Sequence, residues 1–211
     1  MDITVFLGAP GSGKGTQAKI LAKQFGFIHL ATGDMRRAAI QKGTDTGLKA
    51  KSFIDSGNLV PDDVMIELIE KTLGELPTHS KIILDGFPRT VAQADSLDRN
   101  ESTRVDRAVY FDVPSALLLE RLTGRRICSK CGHSFHVSFL PPKKAGVCDE
   151  CGNTLTQRPD DAEGVVKRRL EVFTQQNQPL LDFYEKAEKL QHLDADTEVD
   201  LLQSQLVEAL N

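Results

Sequence analysis

The feature that most constrains this chain is the run Gly8-Ala9-Pro10-Gly11-Ser12-Gly13-Lys14-Gly15-Thr16. It follows an apolar, β-prone stretch at residues 3–7 and precedes a segment in which Ala18, Leu21, Ala22 and Phe25 recur at the spacing of one helix face. Strand, glycine-rich turn and helix in that order, with the pattern G-x-x-x-x-G-K, make an anion cradle. Successive backbone N–H groups and the positive end of the helix face the turn, and Lys14 reaches the outer phosphates of a bound nucleotide. The bland alternative is a tight turn beside a surface lysine. One departure stands out: the pattern asks for Ser or Thr directly after the lysine, whereas Gly15 intervenes before Thr16. The hydroxyl that would meet Mg²⁺ is therefore displaced by one residue.

The remaining periodicity supports an α/β layered core with a mostly parallel sheet. Short apolar runs at residues 27–30, 81–85 and 108–113, and a last one near 192–193, read as strands; continuous apolarity suits strands buried on both faces. Helical patterns lie between them, at 38–40, 48–54, 61–73, 117–121, 166–187 and 201–210, with Pro179 expected to bend the long one. Asp85 closes its strand at a position from which a carboxylate can hold Mg²⁺ or its waters, or simply cap a turn. The formal net charge of −4 over 211 residues argues against whole-surface attraction to nucleic acid or anionic lipid. No apolar run approaches the roughly 18–20 residues of a membrane span, and Met1-Asp2 lacks the basic start of a secretion signal, so a cytoplasmic location is expected.

All four cysteines fall within residues 128–151, as Cys128-x-x-Cys131 and Cys148-x-x-Cys151, each pair followed by a glycine. This is the spacing of a closed, structural Zn²⁺ site; two disulfides or four free thiols are the alternatives. His133 and His136 are expected to stand outside a ligand set that the thiolates already complete. Residues 125–158 contain six Lys/Arg against two acids, so the basic charge that the whole chain lacks is concentrated there.

The variant loop Gly-x-Pro-Gly-x-Gly-Lys-Gly-Thr resembles that of the nucleoside monophosphate kinases, and within them the adenylate kinase family. Further matches follow in order along essentially the whole chain. Thr32-Gly33-Asp34-Met35-Arg36-Arg37 resembles the family's monophosphate-binding segment, Asn58-Leu59-Val60 its base-pocket edge, and Asp85-Gly86-Phe87-Pro88-Arg89-Thr90, with Gln93 beyond, the signature after the third strand. Gly124-Arg125-Arg126, Arg158-Pro159-Asp160-Asp161 and Arg169 are similar to the lid and its closing arginines. Two positions depart: Ala31 stands where Ser is commoner and Arg36 where Leu is commoner.

The resemblance implies a P-loop three-layer core with a five-stranded parallel sheet, built from residues 1–30, 61–124 and 159–211. It implies a small helical insert for the monophosphate at 31–60 and a zinc-bearing lid at 125–158. The implied reaction is reversible transfer from ATP-Mg to AMP, giving two ADP, in a protein expected to be a monomer. Lys14, Arg89, Arg125, Arg158 and Arg169 are implied to be catalytic. Gly11, Ser12, Gly13, Lys14, Gly15, Thr16, Arg125, Ser134 and Phe135 are implied to hold ATP, with an adenine contact in the neighbourhood of Ala195. Thr32, Arg37, Asn58, Leu59, Val60, Gly86, Phe87, Pro88, Arg89, Gln93, Arg158 and Arg169 are implied to hold AMP, and Asp85 to hold Mg²⁺ through water. Thr32 favours AMP over UMP or CMP, because the pyrimidine kinases tend to carry Ala there.

The chemistry agrees with this residue set, since bringing several phosphates together needs positioning and positive charge rather than a protein nucleophile. Arginine suits the task because its planar fork grips phosphate oxygens in pairs and stays ionised. A kinase for another monophosphate is the nearest alternative. A nucleotide-switched module whose Cys ribbon contacts nucleic acid is the distant one, disfavoured because Phe135 and Phe139 are the ribbon's only aromatics.

Overall fold

The computed structural model describes residues 1–41, 43, 53 and 58–210, with backbone alone at 39 and 41. The helix expected at 48–54 lies outside the described residues. Five parallel strands form the main sheet: β1 (Asp2–Gly8), β2 (Ile28–Ala31), β3 (Lys81–Asp85), β4 (Arg107–Asp112) and β8 (Leu190–Asp194), in the order β2-β3-β1-β4-β8. β1 is central, with Val5 level with Leu84 on one side and with Ala108 on the other.

Its side chains explain the layering. Ile3, Val5 and Leu7 enter one core with residues of α3 (Asp62–Gly74), α4 (Val91–Asp98) and α6 (Glu163–Lys186). Phe6 points the opposite way, into a second core with α1 (Lys14–Phe25), α5 (Ser115–Thr123) and α7 (Val199–Leu210). Both faces are covered, which is why the strands read as continuous apolar runs. Each fully buried Leu, Ile or Phe contributes roughly 1.5–3 kcal/mol, against about 0–1 kcal/mol for an exposed ion pair, so these two cores hold the fold. α6 continues unbroken through Pro179, with Leu180, Leu181 and Tyr184 buried just beyond it.

Two elements are additional to the sequence expectation. α4 is capped by Thr90, whose Oγ accepts from Gln93 N–H at 3.2 Å, while the Gln93 side-chain oxygen accepts from Arg89 N–H at 2.7 Å. Between α5 and α6 the chain forms a small antiparallel sheet, β6-β5-β7, from β5 (Arg125–Cys128), β6 (Ser134–His136) and β7 (Leu155–Thr156). A 3₁₀ turn, Pro159–Asp161, then leads into α6.

This insert is fastened at its root. Gln157 Nε2 donates to Thr123 O at 3.0 Å and to Asp161 O at 3.1 Å, joining the incoming and outgoing chain. His136 is buried, and its Nδ1 accepts from Ser138 and Phe139 N–H at 3.0 and 2.9 Å, so Nε2 carries the proton donated to Glu120 O at 3.1 Å. A Cβ at residue 124 would lie 2.2 Å from that nitrogen, which explains Gly124 at the hinge between α5 and β5. β1 and β3 end side by side at Gly8 and Asp85, and the loops beyond the carboxyl ends of the strands open onto one cleft, the usual ligand position in an open parallel sheet.

Candidate active site

The cleft has a volume of about 760 Å³ and is bounded by the β1–α1 loop, the start of α2 (Thr32–Gln41), the segment after β3, the three-stranded insert, α6 and the β8–α7 loop. Nine Lys/Arg side chains face five carboxylates along its described lining, inverting the sign of the whole chain.

The β1–α1 loop is shaped by glycines that admit no side chain. Gly8 has φ 135°, and a Cβ there would lie 2.7 Å from Phe111 O; Gly13, at the start of α1, has φ 94°. The loop curls over the Lys14 ammonium, which donates to Gly8 O and Ala9 O at 2.8 Å each and to Ser12 Oγ at 3.0 Å. Burial pulls the Lys14 ammonium down to about 8, with Asp85 opposing and Arg89 assisting. Asp85 closes the far side, accepting from His29 Nε2 at 3.2 Å. Its burial favours the neutral acid, but the His29 hydrogen bond and the charge of Lys14 prevail and hold it below the usual carboxylate range. The inserted glycine has a reason: a Cβ at Gly15 would sit 3.1 Å from Asp85 Oδ2, so a side chain there would crowd the carboxylate.

Opposite the loop, guanidiniums and aspartates interleave. Arg125 grips Asp161 with both ends of its fork, Nε to Oδ2 at 2.8 Å and Nη2 to Oδ1, and Asp161 is fully buried. Arg169 donates to Asp160 O at 2.7 Å and Asp161 Oδ1 at 3.2 Å, and pairs with Asp160 Oδ2 at 3.3 Å. Arg37 pairs with Asp34 and lies 3.8 Å from Asp160; Arg158 lies 3.4 Å from Asp34. Arg89 donates to Gly86 O at 2.8 Å. Burial, with Arg169 as the next cause, pulls Arg89 down to about 10, and burial, followed by Arg125, does the same to Arg158. Both remain charged at neutral pH. Burial opposes the charge of Asp160, but Arg169 and Arg37 keep it ionised and its acidity strengthened. The Arg158 Nε–H is buried with no partner among the described residues, a donor left for a ligand.

The other end of the cleft carries more of its apolar lining. Arg121 is held by Ala195 O at 3.1 Å and Asp196 Oδ1 at 3.0 Å, and stands opposite Phe135, His136 and Phe139 of the insert, with Val199 and Leu202 beneath. The His136 and Phe139 rings are 4.5 Å apart. An apolar, ring-lined slot beside a phosphate cradle fits a nucleobase.

The four cysteine sulfurs lie within 4.8 Å of one another, with Cys128 3.4 Å from Cys151 and Cys131 3.6 Å from Cys148. A Zn–S bond of about 2.3 Å implies tetrahedral sulfur separations of about 3.8 Å, whereas a disulfide needs about 2.05 Å. The cluster therefore fits a four-thiolate metal site, and His133 and His136 lie outside it. The Cys131 N–H, ahead of other hydrogen bonds, draws the Cys128 thiol down to about 6, while the neighbouring thiols push Cys131 and Cys151 up against their own backbone hydrogen bonds, so one sulfur of the cluster ionises first. Lys19 of α1 donates to Gly132 O, so the first knuckle rests on the core.

Of the residues singled out in sequence, Gly11, Ser12, Gly13, Lys14, Gly15, Thr16, Arg37, Asn58, Leu59, Asp85, Gly86, Pro88, Arg89, Arg125, Ser134, Phe135, Arg158 and Arg169 line the cleft. Thr32, Val60, Phe87 and Gln93 do not; they are buried behind its wall. Thr32 Oγ donates to Asp85 O and Gly86 O, tying α2 to the end of β3, and Gln93 Nε2 donates to Asp62 Oδ1 at 2.7 Å. His29, Arg121 and the aspartates as a counter-charge set emerge only in three dimensions. Replacing Asp161 with Asn leaves Arg125 short of its buried counter-ion, at a cost of about 3 kcal/mol. A melting point lowered by roughly 6–12 °C in calorimetry is expected; an unchanged melting point would show that the pair contributes nothing net.

Comparison with known proteins converges on one family. The sequence model described as adenylate kinase matches residues 6–189. An adenylate kinase of Clostridium tetani is 47% identical over 92% of this chain and 91% of its own length. Those of a Geobacillus species and of Bacillus licheniformis are 46% and 47% identical over 98% of this chain and 97% and 96% of theirs. With the glycine loop, the arginine-lined cleft and the Cys knuckles all falling within these matches, the chain belongs to the adenylate kinase family.

Proposed function

We propose that the chain catalyses reversible phosphoryl transfer from ATP-Mg to AMP, yielding two ADP. The observation that carries this reading is the convergence of a loop lysine and five arginines, each from a different segment of the chain, on one cleft with an apolar slot at the loop end. An oxygen of the acceptor monophosphate attacks the terminal phosphorus of the donor as the bond to the donor's bridging oxygen breaks. That nucleophile is already an anion near neutral pH, so no protein base is required.

Residues 11–16 cradle the donor phosphates, and Lys14 exchanges its carbonyl partners for phosphate oxygens. Arg125, Ser134 and Phe135 hold the donor from above, and Arg37, Arg89, Arg158 and Arg169 hold the acceptor and neutralise the charge of the transferring group. Asn58, Leu59, Gly86 and Pro88 border the acceptor's base and ribose, with Thr32, Val60, Phe87 and Gln93 shaping that border from behind. Asp85 would hold Mg²⁺ through its waters, and the ion would neutralise charge on the donor phosphates. Residues 1–30, 61–124 and 159–211 form the core, 31–60 the acceptor insert, and 125–158 a lid that keeps water from competing with AMP. The Cys₄ cluster holds Zn²⁺ as a structural ion. No helix among the described residues is long and apolar enough to cross a membrane. Family resemblance supports a monomer in the cytoplasm, and the net charge of −4 favours ATP, ADP and AMP over nucleic acid as ligands.

A dinucleotide joining two adenosines through five phosphates spans both halves of such a cleft. Tight competition with ATP and AMP together, in an assay coupling ADP formation, is the expected result. Turnover with UMP or CMP in preference to AMP would reassign the acceptor, and RNA binding without ADP formation would remove the kinase reading.

Chelation, or Cys128→Ser, is expected to lower the melting point, with turnover lost only as the lid unfolds, because metal binding supplies folding free energy to so small an insert. A protein that keeps its melting point yet loses turnover on chelation would contradict a structural metal.

Lys14 sets an alkaline limit. Its ammonium is lowered to about 8, so kcat/KM for ATP is expected to fall by one deprotonation above roughly pH 8, while kcat holds to higher pH because bound phosphates raise the ammonium again. The sign for stability is the reverse of a salt bridge. The buried charge costs stability below pH 8, and that cost fades as pH rises toward the unfolded value of 10.5. A profile flat to about pH 10 would refute the assignment.

A further inference from the structure

Arg36 lies one helical turn into α2, and its half-buried side chain lines the cleft on the acceptor side. Its Nε–H donates to the Thr32 carbonyl of its own helix at 3.3 Å. That is its only hydrogen bond among the described residues, so the four N–H donors at the end of its fork meet no acceptor among them. Arg37, Arg125, Arg158 and Arg169 each have an aspartate within 4 Å, whereas no carboxylate among the described residues comes that close to Arg36. The charges acting on it most strongly are those of Arg89, Arg37 and Arg169, all positive, with Asp160 weaker. A guanidinium held among three others without a counter-ion is costly unless an anion completes the arrangement.

We infer that Arg36 is a further phosphate-binding residue of the acceptor site, its fork meeting the phosphate of the incoming nucleoside monophosphate. This rests on the kinase reading above and adds to it a group that tightens acceptor binding without taking part in the transfer. The phosphate, not the base, is the partner, because a neutral base would leave the clustered positive charge uncompensated.

The test uses the full chain with Arg36→Leu, Arg36→Gln and Arg36→Lys, each checked by its melting point. Arg36→Gln keeps a polar, half-length stem should the leucine variant fold poorly. At saturating ATP-Mg, KM for AMP is expected to rise about tenfold in the leucine variant, the size of one lost charge-assisted hydrogen bond, and less in the lysine variant. kcat and KM for ATP should stay within about twofold, the ordinary scatter of a change outside the donor half. Ribose 5-phosphate as a competitive inhibitor should weaken in parallel with AMP, and adenosine should not. Unchanged KM for AMP, or an equal rise in KM for ATP, would overturn the inference. So would weakened adenosine with undisturbed ribose 5-phosphate, which would place the fork against the base. Wild-type protein that forms no ADP from AMP would count against the kinase reading instead, and displacement of ribose 5-phosphate would still test the anion contact at Arg36.

Discussion

Guanidiniums repel one another, and the cleft can hold several only because Asp34, Asp160 and Asp161 stand between them. At 4 Å and an effective dielectric near 20, two like charges cost about 4 kcal/mol, a sizeable share of a typical domain's stability. The arrangement offsets this with opposite charge at the same separations: Asp161 between Arg125 and Arg169, Asp160 between Arg169 and Arg37, Asp34 between Arg37 and Arg158. These residues sit on α2, β5, the 3₁₀ turn with Arg158 just before it, and α6. The chain of alternating charges therefore does more than keep the arginines ionised. It joins α2, the three-stranded insert and the core across one cleft.

The same network reconciles the overall composition with a polyanionic ligand. A net charge of −4 offers no long-range attraction, yet the cleft is basic because its cations are aimed inward. Asp85 shows the balance at the other end of the site. It keeps its charge despite burial because His29 and Lys14 favour the ionised form, and Gly15 withholds the one Cβ that would crowd it.

How much could be read from residues alone followed from whether the information was local. β1, its glycine loop and α1 are one continuous segment whose strand periodicity, positive-φ glycines and helix spacing are all written in order, and the two Cys-x-x-Cys pairs likewise announce a cluster. α4 was legible in principle, since Thr90-x-x-Gln93 is a helix-capping pattern. β5 to β7 were not, being two to four residues long and rich in Arg, Ser and Thr, with pairing that depends on the cysteine knuckles. The roles of Asp34, Asp160, Asp161, His29 and Arg121 could not be read from local patterns, because each acts on a partner brought near by the fold. Thr32 and Gln93 are implied by motif position to meet the acceptor, and the fold adds what the motif does not carry: their bonds to the end of β3 and to Asp62.

Gln157 bridges the two stems of the insert, and His136 seats it against α5 through a glycine that leaves no room for a side chain. Besides these stems the insert meets the core again, Gly132 O against Lys19 of α1 and Arg125 against Asp161. The core thus meets a closed loop of fixed span, and Asp161 is held from both sides, by Arg125 of the insert and Arg169 of α6. The segment joining the knuckles, residues 137–147, hangs beyond these anchors, so its length can change with less strain on the stems than a change at residues 124–136 or 155–161.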